Sequence, residues 1–253
     1  MYFFGNPILG MGSFLLLAIL INGVSYFICD KVVLRAYKAR IVSEAEEPRL
    51  HRIVDSVVSK SGLPKPKVAI IPTDNPNAFA TGRNPENAVV AVTEGIKRIL
   101  NDDELEGVIA HEIAHIKDRD ILLMSIAATI AGAIAFAAHA VWYSMYFGRR
   151  DANPILLLIV AITAPIAAML VQLAISRGRE YKADRVGAET IGKPLALANA
   201  LKKLEKGNRN KPIDIGSPAS SSLFIVNPFR GGFASIFSTH PPIEERIRRL
   251  EEM

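Results

Sequence analysis

His111, Glu112 and His115 stand in the order His-Glu-x-x-His inside the stretch EGVIAHEIAHIKDRD, Glu106 to Asp120. On a helix, residues four apart lie one turn above each other, so the two imidazoles can share a single Zn²⁺. The glutamate between them faces the open coordination position and can take a proton from an activated water. That is the chemistry of metal-assisted hydrolysis. The surrounding residues specify the helix this needs. Asn101, three before Glu104, makes a capping start, Ala110 and Ala114 are small beside the histidines, and Val108, Ile109 and Ile113 can bury the opposite side.

Two histidines and a water leave a tetrahedral zinc one protein ligand short. The spacing H-E-x-x-H-x-x-G-x-x-H would supply a third histidine, but Asp118 and Ile121 occupy the required positions. The remaining candidates are carboxylates farther along. Glu180 and Asp184, in SRGREYKADRVGAE, are four apart and share a helix face. Glu180 can bind the metal while Asp184 accepts the free ring N–H of a ligand histidine and fixes its tautomer. A solvated basic helix with Glu-to-Arg pairs is the competing reading, against which the small Ala183, Gly187 and Ala188 imply close packing on another element.

Attack on a peptide carbonyl also needs a stabiliser for the developing oxyanion. His240, in STHPPIEERI, is the candidate, with an ordinary surface histidine as the alternative. His139 interrupts an apolar run and reads as packed there, and His51 reads as an exposed helix residue. Asn77, Ala78, Phe79 and Ala80 belong to NAFATG, which together with the following AVVAV can present an edge strand beside the metal. A substrate would lie along it extended, held by backbone hydrogen bonds. An ordinary hairpin with a buried second strand is the alternative for that stretch.

The elements that must position these groups divide between two solvents. Half of the 253 residues are apolar, more than one soluble core of this size needs, yet 22% are charged, which requires a substantial part in water. Three uncharged apolar runs, Ile8 to Ile28, Ile121 to Phe147 and Pro154 to Ser176, are long enough to be transmembrane helices. The net charge of +5 is concentrated beside them, at Lys31, Arg35, Lys38 and Arg40 and at Arg177, Arg179, Lys182 and Arg185. That placement reads as membrane orientation and not as a nucleic-acid footprint. It puts Lys31 to Asp120 and Arg177 to Met253 on the cytoplasmic side, with the turn Gly148 to Asn153 opposite, although Arg149 and Arg150 weigh against this. A single cysteine, Cys29, excludes an internal disulfide.

Between the first two runs the pattern predicts a helix over Ser43 to Ser61, strands over Lys67 to Ile71 and Ala88 to Val92, a loop over Thr73 to Asn87, and a short helix over Glu94 to Leu100 capped by Thr93. After the third run it predicts a helix around Glu180, another over Pro194 to Lys206, a long loop from Asn208 to Phe237, and a short charged helix after Pro241 and Pro242. The expected organisation is an anchor over 1–30, catalytic halves over 31–120 and 177–253, and a transmembrane hairpin over 121–176.

HEIAH, two hydrophobic spans, the Glu-x-x-x-Asp of REYKAD, NAFATG and STHPPIEERI together resemble the HtpX family over nearly the whole chain. These are integral-membrane zinc metalloproteases related to the type 1 CAAX prenyl proteases. Members usually carry two amino-terminal spans, and one is legible here. The resemblance implies a mostly α fold with a small β-sheet, a gluzincin-type domain with transmembrane helices. It implies one Zn²⁺ per chain on His111, His115 and Glu180, with Glu112 as general base. It also implies a multi-pass protein of the cytoplasmic membrane that cleaves misfolded or damaged membrane proteins under stress. The expected partners are such substrates, the lipid bilayer, and further copies of the chain or other membrane proteases, with no nucleic acid. A prenyl-protein endopeptidase, or a membrane adaptor with a structural zinc, are the rival expectations.

Overall fold

Proline, asparagine and threonine at the helix starts set the boundaries between elements. Pro48 and Pro194 each open a helix at a position whose N–H needs no partner. The Thr93 hydroxyl accepts from the Ile96 N–H, and Asn101 and Glu104 form a reciprocal capping box. The computed structural model describes residues 7–147, 154–211, 213, 215, 223–227 and 241–253. In chain order the elements are α1 (Pro7–Ala36), β1 (Arg40–Ile41), α2 (Pro48–Ser61), β2 (Lys67–Ile71), β3 (Ala78–Thr81), β4 (Val89–Thr93), α3 (Glu94–Ile99), α4 (Asp102–Lys117), α5 (Asp120–Phe147), α6 (Pro154–Ile191), α7 (Pro194–Asn210) and α8 (Ile243–Glu251). The fold is mostly helical with one small mixed sheet.

The chain divides into two units, Met1–Tyr26 with Leu122–Ile175 and Phe27–Ile121 with Ser176–Met253. The first consists of parts of α1, α5 and α6. Most of its outward side chains are apolar, among them Leu16, Leu20, Ile126, Ile130, Ile159 and Leu170. All three predicted apolar runs fall on helices. Among the described residues no helix is long and apolar enough to cross a membrane; many side chains of these helices, that of His139 included, lie outside the described residues, as does the turn Gly148 to Asn153.

In the second unit the strand order is β1-β2-β4-β3, with β2 parallel to β4 and the outer pairs antiparallel. Every residue of β4 is buried, in keeping with its central place and its apolar sequence. One edge is β3, which arises inside the stretch predicted to be loop. Four residues bounded by Asn77 and Gly82 are too short for alternation to announce a strand, and register with β4 supplies what periodicity does not. The two-residue β1 was also not predicted. Helix α2 starts at Pro48, five residues later than expected, and α6 continues through Glu180 without the expected break.

Helices α2, α4, α7 and α8 pack into one apolar core containing Leu50, Val54, Val108, Ile109, Leu197, Leu201 and Leu250. Two glycines let backbones approach where a side chain would intrude. A Cβ at Gly107 of α4 would lie 3.0 Å from the Leu197 backbone nitrogen, and one at Gly187 of α6 would lie 2.8 Å from that of His111. The α4 and α6 backbones therefore touch at the histidine itself. Polar ties add to this core. Glu106 of α4 accepts from Ser56 and Lys60 of α2 and from Lys193, at 2.8, 2.8 and 2.9 Å. Burial pushes the Glu106 carboxyl up, but those three bonds outweigh it and bring it down to about 2. His51, expected to be exposed, is buried on α2, with Nε2 bonded to the Val42 carbonyl at 3.1 Å.

Two outcomes follow for stability. In the same helix, Gly187→Ala is expected to destabilise by about 1–3 kcal/mol through overpacking. Gly178→Ala, where a Cβ meets nothing within 4 Å, is expected to stabilise by about 0.5–1 kcal/mol. Denaturant unfolding compares them, and equal stability of the two variants contradicts the close approach. Because the folded Glu106 value lies below that of an unfolded glutamate, its pairs stabilise fully above about pH 4.5 and cease to do so as pH falls toward 2. The stability gap between wild type and Glu106→Gln should therefore narrow between about pH 6 and about pH 2.5. A gap that does not change with pH rules this out.

Candidate metal centre

The approach at Gly187 brings the face of α4 that carries His111 and His115 against the face of α6 that carries Glu180 and Asp184. His111, Glu112, Glu180 and Asp184 are all buried, and His115 is half-buried. The two Nε2 atoms lie 3.1 Å apart. Glu180 Oε2 lies 3.7 Å from His111 Nε2, and its Oε1 lies 3.6 Å from His115 Nε2. A tetrahedral ion with bonds of about 2.0–2.1 Å sets its donors about 3.3 Å apart, so three atoms at these separations can surround one centre. Two imidazoles and a carboxylate suit zinc, and these three residues form a group able to hold a metal ion.

Both histidines are held from behind. His111 Nδ1 lies 2.9 Å from Asp184 Oδ1, and His115 Nδ1 donates to Asp120 Oδ2 at 2.5 Å. With the proton on Nδ1 in each ring, both Nε2 lone pairs turn toward the shared point. Burial pulls His111 down to about 4 against the opposing Asp184 carboxylate, so the ring is neutral at pH 7 and able to ligate. For His115 burial also pulls down, but the bond to Asp120 and the Glu180 and Glu112 charges outweigh it and raise the ring above its ordinary value. Burial pushes Glu112 up to about 7, ahead of the Ala80 N–H that bonds to its carboxylate. That is the range in which a carboxylate can accept and return a proton.

Two contributors were not legible in sequence. Arg246 of α8, fully buried, donates from Nε and Nη2 to the two Asp184 oxygens at 2.7 Å each, and from Nη1 to the Ile225 carbonyl at 2.8 Å. Its Nη2 is 3.5 Å from His111 Nε2, and its Nη1 is 3.5 Å from Glu180 Oε2. Burial would raise Asp184, but the guanidinium outweighs it and holds the carboxyl at about 2. The available signal was the pattern of α8, where Arg246 falls on the apolar face formed by Ile243, Ile247 and Leu250. The second contributor is Asp120, which also pairs with Arg179 at 2.8 Å. Its only cue was its place as the last charge before the second apolar run.

Of the residues expected along the substrate, Asn77 and Phe79 are fully buried. Phe79 packs against Tyr37 and Phe224, and the Asn77 amide donates to the Val226 carbonyl at 2.7 Å. Ala78 and Ala80 turn their peptide groups to the side of β3 away from β4, since the Asn77 carbonyl accepts from Thr93 of β4 and alternate residues face alternate sides. His240 lies outside the described residues. The cavity over the ligands measures about 60 Å³ and is bounded by Ala80, the two histidines, Glu112 and Glu180, and by Leu223, Phe224 and Ile225.

Residues 44–253 match Peptidase family M48. The chain is 56% identical over 258 residues to a protease HtpX homolog of Pyrococcus furiosus, covering 98% of this chain and 89% of that one. It is 54% identical over 255 residues to a protease HtpX homolog of Salinibacter ruber, covering 98% and 91%. The crystal structure of S. mikatae Ste24p shares the fold, with a TM-score of 0.66 at 18% identity, over 95% of this chain and 58% of that one. A buried His-Glu-x-x-His helix with a glutamate brought to it from a second helix, in a chain this similar to those proteases, leads to one conclusion: the chain belongs to peptidase family M48, as an HtpX-type metalloprotease.

Proposed function

We propose that this protein is a membrane-bound zinc endopeptidase that cleaves misfolded or damaged membrane proteins at the cytoplasmic face, as part of quality control under stress. The observation that carries the reading is the convergence of His111, His115 and Glu180 beside the buried Glu112. The apolar outer surface of the first unit supports contact with a lipid bilayer, because exposed leucine and isoleucine at that density are unfavourable in water. Basic residues beside the apolar runs support a cytoplasmic site. The prenyl-protein alternative has no observation of its own in its favour.

One zinc per chain, held by His111, His115 and Glu180, would supply a Lewis acid and lower the pKa of a water toward about 7. Asp184 and Asp120 keep the two rings in the ligating tautomer and orientation. Glu112 takes the proton of the attacking water and returns it to the leaving amine. Arg246 is the buried cation nearest the ligands among the described residues, and with His240 it is the candidate to meet the charge growing on the carbonyl oxygen.

Glu112→Gln should lower kcat/KM on an unfolded test protein by about 10²–10⁴-fold with zinc content unchanged; full activity in that variant would sink the assignment. Metal analysis after dialysis should find Glu180→Ala well below one zinc per chain, whereas unchanged occupancy removes Glu180 from the ligand set. In competition with a chelator, Asp120→Asn should bind zinc about 10–100-fold more weakly. Equal affinity would mean that Asp120 does not position His115.

A further inference from the structure

The edge of β3 that a substrate would use is already engaged by the chain itself. The Ile225 N–H donates to the Ala78 carbonyl at 3.2 Å, and the Val226 N–H donates to Asn77 Oδ1 at 3.4 Å. The two outward N–H groups of the edge are also committed, that of Ala78 to Asn77 Oδ1 at 3.1 Å and that of Ala80 to Glu112. Side chains secure the same segment. Phe224 is fully buried, edge-on to Tyr37 at 5.0 Å and to Phe79 at 5.3 Å between ring centres, and Ile225 is buried in the main core. Arg246 holds the Ile225 carbonyl with the guanidinium that also holds Asp184. Leu223, Phe224 and Ile225 thereby wall a cavity of about 60 Å³ over the metal ligands. That is small beside the about 300–1,000 Å³ of clefts that enclose a drug-sized ligand.

We infer that Leu223–Val226 is an autoinhibitory strap, and that the substrate is an extended apolar segment able to replace its contacts on the β3 edge. This rests on the proteolytic reading above and narrows it. A peptide can pair with the Ala78 carbonyl only when Ile225 lets go of it, and letting go exposes Phe224 and Ile225 to solvent. The closed form is therefore favoured in the free protein, and apparent affinity is reduced by the fraction that is open. Leucine, phenylalanine and valine side chains offset that exposure and polar ones do not, which directs the enzyme toward apolar segments that have lost their fold.

The test uses the zinc-loaded full chain in detergent and a short unstructured peptide of leucine, phenylalanine and valine with flanking lysines. In Glu112→Gln, with peptide binding followed by fluorescence anisotropy, hydrogen exchange at the Ile225 and Val226 amides should become about tenfold faster or more when the peptide is bound. Unchanged or slower exchange in the peptide-bound protein overturns the strap, and a peptide that neither binds nor is cut overturns the substrate class. On the active enzyme, Phe224→Ala should lower KM for this peptide by about fivefold at unchanged zinc content, because a larger fraction is open. A KM that stays or rises contradicts the inference. Failure of the proteolytic reading looks different: Glu112→Gln would cut as fast as wild type, whatever the exchange of the strap.

Discussion

Four carboxylates, Glu112, Asp120, Glu180 and Asp184, are buried within reach of two imidazoles, and the cost of holding that much negative charge away from water governs the rest of the second unit. Arg246 answers Asp184, and Arg179 answers Asp120. Arg246 Nη1 also lies 3.5 Å from Glu180 Oε2, and a divalent cation on the ligands would add to the neutralisation of Glu180 and Glu112. Burial, with the Glu180 charge beside it, takes Glu112 up to about 7 against the opposing pull of His115, the Ala80 N–H and Arg246. Stability and chemistry are thus two aspects of one arrangement, since the groups that tolerate burial only with a cation are those that would ligate it or act beside it.

The helices are arranged to meet this demand from distant parts of the chain. His111 and Asp184 are joined across the contact that Gly187 permits, and Arg246 closes the same pair from α8. Arg246 also reaches the Ile225 carbonyl, so the group that balances the buried charge simultaneously fixes the segment on the β3 edge. A change in how that segment is held is therefore felt at the Asp184 and His111 pair through one side chain. Asp120 plays the corresponding part at the other histidine, linking His115 to Arg179, the neighbour of Glu180.

What could be read in advance was whatever a helix repeats locally. The spacing of His111 and His115, the four-residue interval from Glu180 to Asp184, and the Asn101 capping box all follow from one helical turn. Arg246 did not emerge, because its partner is 62 residues away and nothing local requires an arginine on the apolar face of α8. β3 was legible as the edge strand or hairpin arm that NAFATG offers but without its bounds, because four residues between turn formers acquire strand geometry only from β4. His51 was misread for a related reason: its polarity suggested solvent, while one of its ring nitrogens bonds a backbone carbonyl across the α2 packing. Asn77, just before the edge strand β3, and Phe79 within it turn their peptide groups toward β4, while those of Ala78 and Ala80 turn away from it.

X-ray absorption at the zinc edge of the loaded chain tests most directly whether His111, His115 and Glu180 form one centre. Two imidazole shells and further oxygen donors, all at about 2.0–2.2 Å, are the predicted result. A sulfur donor at about 2.3 Å, or scattering from fewer than two imidazoles, would contradict it.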